Sequence, residues 1–437
     1  MNMPQDIWYD IDMPWPWPAI LRFIMRLIRV FGLWRRPYVH DPDAPGLLPG
    51  LYYAYKTRYP VLKPQRGSRT AQRLEADKRR RGGYVALRMP RGNAYDTLRL
   101  GAVGDLMISP GLAKSGHTLY AEVGSTLFSR DISFANLEST LPVAEHTPLR
   151  FTAGQMPRVL ASPEEMDVLL GRHPGPFDVV NLVHNHIADE GVEGLKATVR
   201  RAEVLGSRVL SPGLSDCDED LPLILNKKGF AVGFVAATYS LNRHSFGERA
   251  EGTVPVVHVH RMRKEMGWEA IEEQIAHCRD AKCDITILSL HWGMEYELYP
   301  TEKQARLARW AAERGVDCIL GHHAHMAQRM EILDRGEKRV PVFYGLGNLT
   351  NPFGAWHTSL SLMALVEYAR TSEGVRLFGL DVVPVVRRST GEERIVIVPL
   401  AQLMREELCR KEAVGVERME WLADNILGPA WRRWEAQ

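Results

Sequence analysis

The chain has 437 residues, of which 45% are hydrophobic and 25% are charged, and its formal net charge is +2. The length suits one large domain with terminal extensions, or two domains, and the composition is that of an ordinary globular protein. A balance so close to neutrality predicts neither an acidic nor a basic partner for the protein as a whole. Five cysteines, an odd number without a CxxC pair, argue against a disulfide framework and favour a reducing compartment.

Residues 1–40 predict an amphipathic helix that lies in a membrane interface. Alternating prolines and tryptophans precede an apolar run over residues 19–34, in which Arg22, Arg26 and Arg29 share one helical face. Central arginines are costly in a spanning helix, and a cleavable signal peptide carries its charge ahead of its apolar core. We therefore expect peripheral attachment to the cytoplasmic face of a membrane. The alternative is a helix packed on the protein's own surface.

Residues 41–95 are predicted to form a solvated basic linker or arm. Twelve basic residues lie between positions 56 and 91, against only Glu75 and Asp77. Beside an interfacial helix, such a segment also suits contact with an anionic membrane surface. No aromatic platform is interleaved with the basic residues, so no nucleic-acid partner is expected.

Short apolar runs alternate with helical patterns from Thr97 onward, which predicts an α/β fold for a domain over residues 96–385. A C-terminal extension over residues 386–437 ends in a helical tail at 404–434. Strands are predicted at 98–103, 132–135, 177–182, 230–236, 285–290, 318–320, 342–344, 360–368, 375–384 and 394–398. Helices are predicted at 191–205, 263–281 and 301–314.

Polar side chains follow six of these strands at the point where each strand ends. In chain order they are Asp105, Glu138, Asn185, His186, Asp189, His291, His322, His323, His325 and Asn348. In open α/β sheets, ligands bind in the crevice beyond the carboxyl ends of the strands. Taken singly, these residues have ordinary explanations as turn, cap or loop residues. Together they indicate a functional site at one edge.

Three imidazoles within four residues, at positions 322, 323 and 325, are typical of a transition-metal site. Imidazole combined with carboxylate and amide oxygen suits manganese, iron or zinc better than calcium or magnesium. We expect two such divalent ions, because ligands come from several elements and include a carboxylate that can bridge.

These motifs resemble the capsule synthesis protein CapA family, which is linked to poly-γ-glutamate production and looks like a branch of the calcineurin-like metallophosphoesterases. The resemblance covers residues 98–351. The matching strings are Val103-Gly104-Asp105-Leu106-Met107, Asn136-Leu137-Glu138, Asn185-His186 with Asp189 and Gly191, His291-Trp292-Gly293 with Glu295-Tyr296, Gly321-His322-His323-Ala324-His325 and Tyr344-Gly345-Leu346-Gly347-Asn348.

The resemblance implies a four-layer αββα sandwich of the metallophosphoesterase type, with the site at one end. It implies that Glu138 stands where ordinary phosphoesterases carry a bridging Asp. His186 would steady the leaving group, and Asp189 would orient His186. The metal ligands that the resemblance implies are Asp105, Glu138, Asn185, His291, His323 and His325. Which two of the three clustered histidines bind metal stays open, with His323 and His325 assigned here.

One departure from the phosphoesterase pattern concerns the first motif, where Met107 stands in place of a metal-binding histidine. CapA proteins share this feature, so the resemblance implies a metal-dependent hydrolase for a phosphoester or amide bond without specifying ordinary phosphatase activity. One alternative is a non-catalytic, membrane-peripheral accessory of polymer synthesis or export. Another is an enzyme that forms or cleaves γ-glutamyl amides. The expected protein partner is the capsule or polymer synthesis machinery.

Overall fold

The computed structural model describes residues 17–38, 47–88, 96–143, 158–171, 175–211, 222–242, 267–351, 353, 355–408 and 415–434. The α-helices in these ranges are α1 Trp17–Phe31, α2 Leu47–Arg58, α3 Arg69–Arg81, α4 Gly124–Leu127, α5 Pro163–Leu169, α6 Gly191–Val204, α7 Trp268–Asp280, α8 Glu302–Arg314, α9 Leu400–Leu408 and α10 Val416–Leu427.

The strands fall into two sheets. They are β1 Leu87–Arg88, β2 Thr97–Leu106, β3 Ile132–Leu137, β4 Val179–Asn181, β5 Arg208–Leu210, β6 Leu223–Lys227, β7 Phe230–Thr238, β8 Ile285–His291, β9 Cys318–His322, β10 Met330–Arg335, β11 Lys338–Phe343, β12 Leu360–Thr371, β13 Gly374–Ser389 and β14 Ile395–Pro399. The first sheet has the order β1-β13-β12-β2-β3-β4-β5, with β14 beside β13. The second has the order β10-β11-β9-β8-β7-β6.

Alternate side chains of the second sheet face two different cores, as expected for strands buried on both faces. On β7, Phe234 and Ala236 belong to the large core shared with the first sheet, whereas Val235 and Ala237 belong to a smaller core with α7 and α8. Phe134 of β3 stacks on Phe234 at 5.9 Å between ring centroids, so the two sheets pack face to face. With α6 against β5 and α9 against β13, the architecture is the predicted αββα sandwich.

The register of the parallel strands explains why polar residues converge. β2 pairs with β3 so that Asp105 lies opposite Asn136, and β8 pairs with β9 so that His291 lies opposite His322. Asp105 also forms an isolated parallel bridge with Asn348. The carboxyl ends of β2 and β3 in the first sheet and of β8 and β9 in the second therefore lie close together, as the sequence indicated.

The basic segment predicted as a solvated linker or arm differs from that expectation. Its described part holds α2 and α3, and α3 packs against β10 and α8. Asp77 of α3 is buried and accepts hydrogen bonds from Arg81 Nε at 2.9 Å and from the Ile332 amide at 2.9 Å. Arg73 donates through two nitrogens to Glu331 at 2.7 and 2.9 Å. Glu331 lies on β10, far from Arg73 along the chain, so counting charges within the segment could not reveal this partner. Residues 89–95 lie outside the described residues.

Helix α1 has three distinct faces. Met25 is buried, with Leu21 and Ile28 half-buried beside it, while Arg22 and Arg26 are exposed on a second face. A third face exposes large apolar side chains: Ile20, Phe23, Ile24, Leu27, Val30 and Phe31. Among the described helices, none has the length and apolar character to cross a bilayer. Trp15 and Pro16 lie outside the described residues, and so do residues 409–414 of the predicted helical tail, whose described parts are α9 and α10.

Candidate metal centre

Asp105 ends β2 in a fully buried position at the centre of the strand-end cluster. Its Oδ1 accepts a hydrogen bond from Asn136 Nδ2 at 2.8 Å and lies 3.1 Å from His322 Nδ1, and its Oδ2 faces the His323 amide at 3.3 Å. Burial acts to raise the pKa of Asp105, but the hydrogen bond and charge of His322 outweigh it, so the pKa falls. Asp105 is thus held ionised in the interior.

Glu138 follows β3 and is fully buried, and neither of its carboxylate oxygens has a hydrogen-bond partner among the described residues. Burial raises its pKa well above the usual value, and the charges of Asp105 and Glu295 add to the effect. His291 Nε2, also buried, lies 3.4 Å from Glu138 Oε1 without forming a hydrogen bond. Burial and the neighbouring His323 hold the pKa of His291 well below its usual range, so its imidazole is neutral.

The loop after β9 carries His323 and His325 in left-handed backbone conformations, with φ of 79° and 53°. Such a conformation costs a non-glycine residue about 1–3 kcal/mol and is concentrated at functional sites. The loop turns both rings inward: their centroids are 5.8 Å apart, and His323 lies 5.0 Å from the ring of His291. His322, in contrast, faces Asp105 and Phe134.

Three overlapping triads in the described residues place their ligand atoms within 4.8 Å of one another. They are Glu138–His291–His323, Asp105–Glu138–His325 and Glu295–His323–His325. Glu138 is shared by the first two triads, which is the position of a bridging carboxylate. Five of the six predicted ligands are therefore brought together, with His323 and His325, rather than His322, among them.

Asn185, the sixth predicted ligand, is buried beside the predicted catalytic pair. Its Nδ2 donates to Asn242 Oδ1 at 3.2 Å, and its Oδ1 is buried with no hydrogen-bond partner among the described residues. His186 Nδ1 lies 2.8 Å from Asp189 Oδ2, which also accepts the Val159 amide at 2.8 Å. Asp189 is thus placed to orient His186, and the free oxygen of Asn185 suits a ligand role.

The residues present fit divalent metal ions. Buried polar atoms are nearly always satisfied, yet here Glu138 Oε1 and Oε2, Asn185 Oδ1 and His291 Nε2 lack partners within the described parts of the chain. The charges that act most strongly on Glu138 are those of Asp105, Glu295 and Asp189, all carboxylates. Imidazole nitrogens and unpaired carboxylate oxygens around one point suit a divalent metal ion.

Residues to which the sequence gave no ligand or catalytic role lie directly behind these groups. Asn136 fixes Asp105, Asn348 Oδ1 lies 3.0 Å from His325 Nδ1, and Tyr239 packs its ring 4.2 Å from that of His323. Asn136 and Asn348 lie within the family motifs, but only the fold shows what they contact. Met107 packs in the large core, and its backbone exchanges hydrogen bonds with Thr350 Oγ1 at 2.8 and 2.6 Å.

An αββα sandwich with histidines and carboxylates at its strand ends is the metallophosphoesterase type of fold that the sequence predicted. Comparison with known families then identifies the family. Residues 99–352, more than half of the chain, match the family described as bacterial capsule synthesis protein PGA_cap. The chain belongs to this family, and the family prediction is confirmed.

Two curated relatives illustrate the similarity. The capsule biosynthesis protein CapA of Bacillus anthracis is 28% identical over 212 residues, covering 48% of this chain and 47% of that protein. The PGA biosynthesis protein CapA of Bacillus subtilis is 28% identical over 211 residues, covering 48% and 50%. The chain thus spans about half the length of the curated relatives it matches. A solved calcineurin-like phosphoesterase, YfkN of Bacillus subtilis, aligns with a TM-score of 0.37 and 12% identity over 74% of this chain and 98% of that one.

Proposed function

We propose that the protein is a metal-dependent hydrolase of capsule or poly-γ-glutamate synthesis that cleaves a phosphoester or amide bond at a dinuclear centre. One observation carries the proposal: both oxygens of Glu138 are buried without a partner among the described residues, at the overlap of two candidate ligand triads. A buried carboxylate in that state is costly unless a cation is present. The capsule and PGA biosynthesis names of the CapA relatives support the biological setting.

The proposal gives each residue a defined role. Asp105, Glu138 and His325 would hold one ion, and Asn185, His291 and His323 would hold the other together with Glu138. Two bound divalent ions would polarise the scissile group and lower the pKa of water. Asp189 keeps His186 oriented through Nδ1, which leaves His186 Nε2 to move a proton to or from the leaving group. The buried His184 behind His291 stays neutral, because burial lowers its pKa to about 3.

Metal analysis joined to a substrate screen tests this function. We expect purified wild-type protein to hold stoichiometric manganese, iron or zinc, and Asp105→Ala to lose most of it. A screen of phosphoesters and γ-glutamyl amides should show turnover that Asp105→Ala and His186→Ala both lose, with only Asp105→Ala losing metal. Wild-type protein without stoichiometric metal would reject the proposal. Turnover of γ-glutamyl amides alone would favour the amide-forming or amide-cleaving alternative.

A second candidate function, a membrane-peripheral accessory of polymer synthesis, is favoured by the exposed apolar face of α1. Phe23 is 62% and Phe31 is 73% exposed, and the adjacent face carries Arg22 and Arg26. An apolar strip beside a basic one suits the headgroup region of an anionic bilayer. This role is compatible with hydrolysis and would place the metal centre next to a membrane-bound synthesis machinery.

Vesicle flotation tests the membrane role. Wild-type protein should float with vesicles containing anionic phospholipid and far less with purely zwitterionic vesicles. Phe23→Asp with Phe31→Asp should abolish flotation, whereas Val204→Asp, at an apolar residue of α6 that is 77% exposed, should leave it unchanged. Equal flotation of all variants would show that α1 does not bind the bilayer.

A further inference from the structure

Glu295 belongs to a ligand triad although the sequence pattern gave it no role. It lies four residues beyond His291, in the loop after β8, and its side chain is 18% exposed against 5% for His325 and 0% for Glu138. Its carboxylate therefore sits on the solvent side of the cluster. The third triad, Glu295–His323–His325, overlaps both of the others.

The backbone fixes Glu295 against the histidine loop. The amide of Tyr296, the next residue, donates to the carbonyl of Ala324 at 2.9 Å, and Ala324 lies between His323 and His325. The carbonyl of Tyr296 accepts the Val61 amide at 2.9 Å. Tyr296 itself adopts a positive φ of 57°. A residue held on both sides in a strained conformation indicates that the direction of the loop matters.

Hydrogen bonds behind His325 determine which of its nitrogens faces Glu295. Asn348 Nδ2 donates to the Asn351 carbonyl at 2.8 Å, so Asn348 Oδ1 is the atom that faces His325 Nδ1 at 3.0 Å. Because an amide oxygen only accepts, His325 Nδ1 carries the proton. Nε2 is then the His325 nitrogen that remains to bind an ion, and it lies 3.6 Å from Glu295 Oε1.

His325 Nε2 and Glu295 Oε1 are both atoms that can bind a metal ion, and they belong to the same ligand triad. The separation is too long for a hydrogen bond. Two ligands that are each about 2.1 Å from a common ion lie roughly 3.0–3.4 Å apart, which is close to the distance observed here. The distance between His325 Nε2 and Glu295 Oε1 is therefore only slightly longer than that between two ligands of one metal ion.

We propose that Glu295 is a protein ligand of the ion held by His325, and that it supplies the donor missing where Met107 replaces the histidine of the phosphoesterase pattern. The inference rests on the proposed metal-dependent function and deepens it. Asp105 and Glu138 form another triad with His325, so with Glu295 the residues that would hold this ion include three carboxylates and one imidazole. This donor set is harder and more anionic than the pattern with a second histidine, so it favours manganese over zinc at that position.

Titration of the metal-free full chain with Mn²⁺ alone tests the assignment. Binding is followed by calorimetry and by loss of the free Mn²⁺ paramagnetic resonance signal. Glu295→Gln preserves the size of the side chain and removes the charge. Glu313→Gln, at an exposed carboxylate of α8, is the matched control. Thermal unfolding of the metal-free variants shows that each is folded as the wild type is.

The expected result is that Glu295→Gln weakens one Mn²⁺-binding step by at least about tenfold, while Glu313→Gln stays within about twofold of wild type. Unchanged or tighter Mn²⁺ binding in Glu295→Gln overturns the assignment and indicates a simple ion pair with a protonated His325. Wild-type protein that binds no stoichiometric Mn²⁺, Fe²⁺ or Zn²⁺ overturns the proposed function itself. The wild-type titration therefore separates the two failures.

Discussion

Lys56 and Glu297 form an ion pair between α2 and the loop that carries Glu295, with Lys56 Nζ 3.7 Å from Glu297 Oε1 and both side chains at most 2% exposed. Tyr52 of α2 donates its hydroxyl to the same carboxylate oxygen at 3.1 Å. Helix α2 therefore packs directly against the loop that carries Glu295. A charge pair at this depth is costly to break, because the remaining partner stays buried.

Lys56→Met should destabilise the protein by about 3 kcal/mol, since it removes a cation beside a buried carboxylate. Urea denaturation followed by circular dichroism measures the change. Lys63→Met, at an exposed lysine of the same segment, should leave the free energy of unfolding within about 0.5 kcal/mol of wild type. Equal denaturation midpoints for Lys56→Met and Lys63→Met would mean that α2 is not anchored through this pair.

The sequence sufficed to predict the parallel strands and the edge where the site lies. Short apolar runs bounded by turn residues, such as β8, are typical of strands buried on both faces, and the polar residues after parallel strands reach the same edge. The strand β5 was missed because three residues, Arg208–Leu210, give no periodicity. The strand β10 was missed because Met330–Arg335 mixes apolar and charged residues that meet partners only in three dimensions.

Side-chain roles were harder to predict than strand positions. Glu295 was visible in the sequence, but only the hydrogen bond from the Tyr296 amide to Ala324 reveals that its loop folds back over the histidines. The basic residues of α3 resembled a solvated arm because Glu331 and Asp334, their acceptors, lie some 250 residues away in the chain. Contacts of this range depend on topology, which local patterns do not encode.

His357 should make the protein sensitive to acid. Its ring is fully buried against Tyr296, and burial lowers its pKa to about 3. His357 binds a proton near pH 6.5 in the unfolded chain but only near pH 3 in the folded chain. Its neutral form therefore contributes fully to the free energy of unfolding above pH 6.5. Below that pH the contribution declines by up to about 1.4 kcal/mol per pH unit. In metal-free protein, His357→Phe should show a shallower loss of stability between pH 6.5 and 4. Equal slopes for the two proteins would contradict the assignment.

Metal binding should show itself as thermal stabilisation that depends on His323. Free Mn²⁺ at roughly one hundred times its dissociation constant stabilises a folded protein by about 2.7 kcal/mol. His323→Asn should lose most of this gain yet remain folded without metal, because asparagine tolerates the positive φ of 79° at this position. His277→Asn, at an exposed histidine of α7, serves as the control and should keep the full gain. A wild-type melting temperature that does not change when Mn²⁺ is added would contradict the proposed metal centre.

The last prediction concerns Gly104, which allows the end of β2, with Asp105, to touch the loop that carries Asn348. A Cβ added at Gly104 would lie 1.8 Å from the carbonyl oxygen of Gly347, which accepts the Asp105 amide at 3.0 Å. The atoms that an added Cβ would meet belong to the backbone of Gly347 and Leu346, so they cannot move aside without displacing Asp105. Gly104→Ala should therefore lower the free energy of unfolding by more than about 3 kcal/mol and weaken metal binding. Gly116→Ala, where the nearest atom to an added Cβ is 3.9 Å away, should change neither quantity measurably. Chemical denaturation and Mn²⁺ titration of both variants measure the two effects, and a Gly104→Ala protein that retains wild-type stability and metal content would refute the close approach.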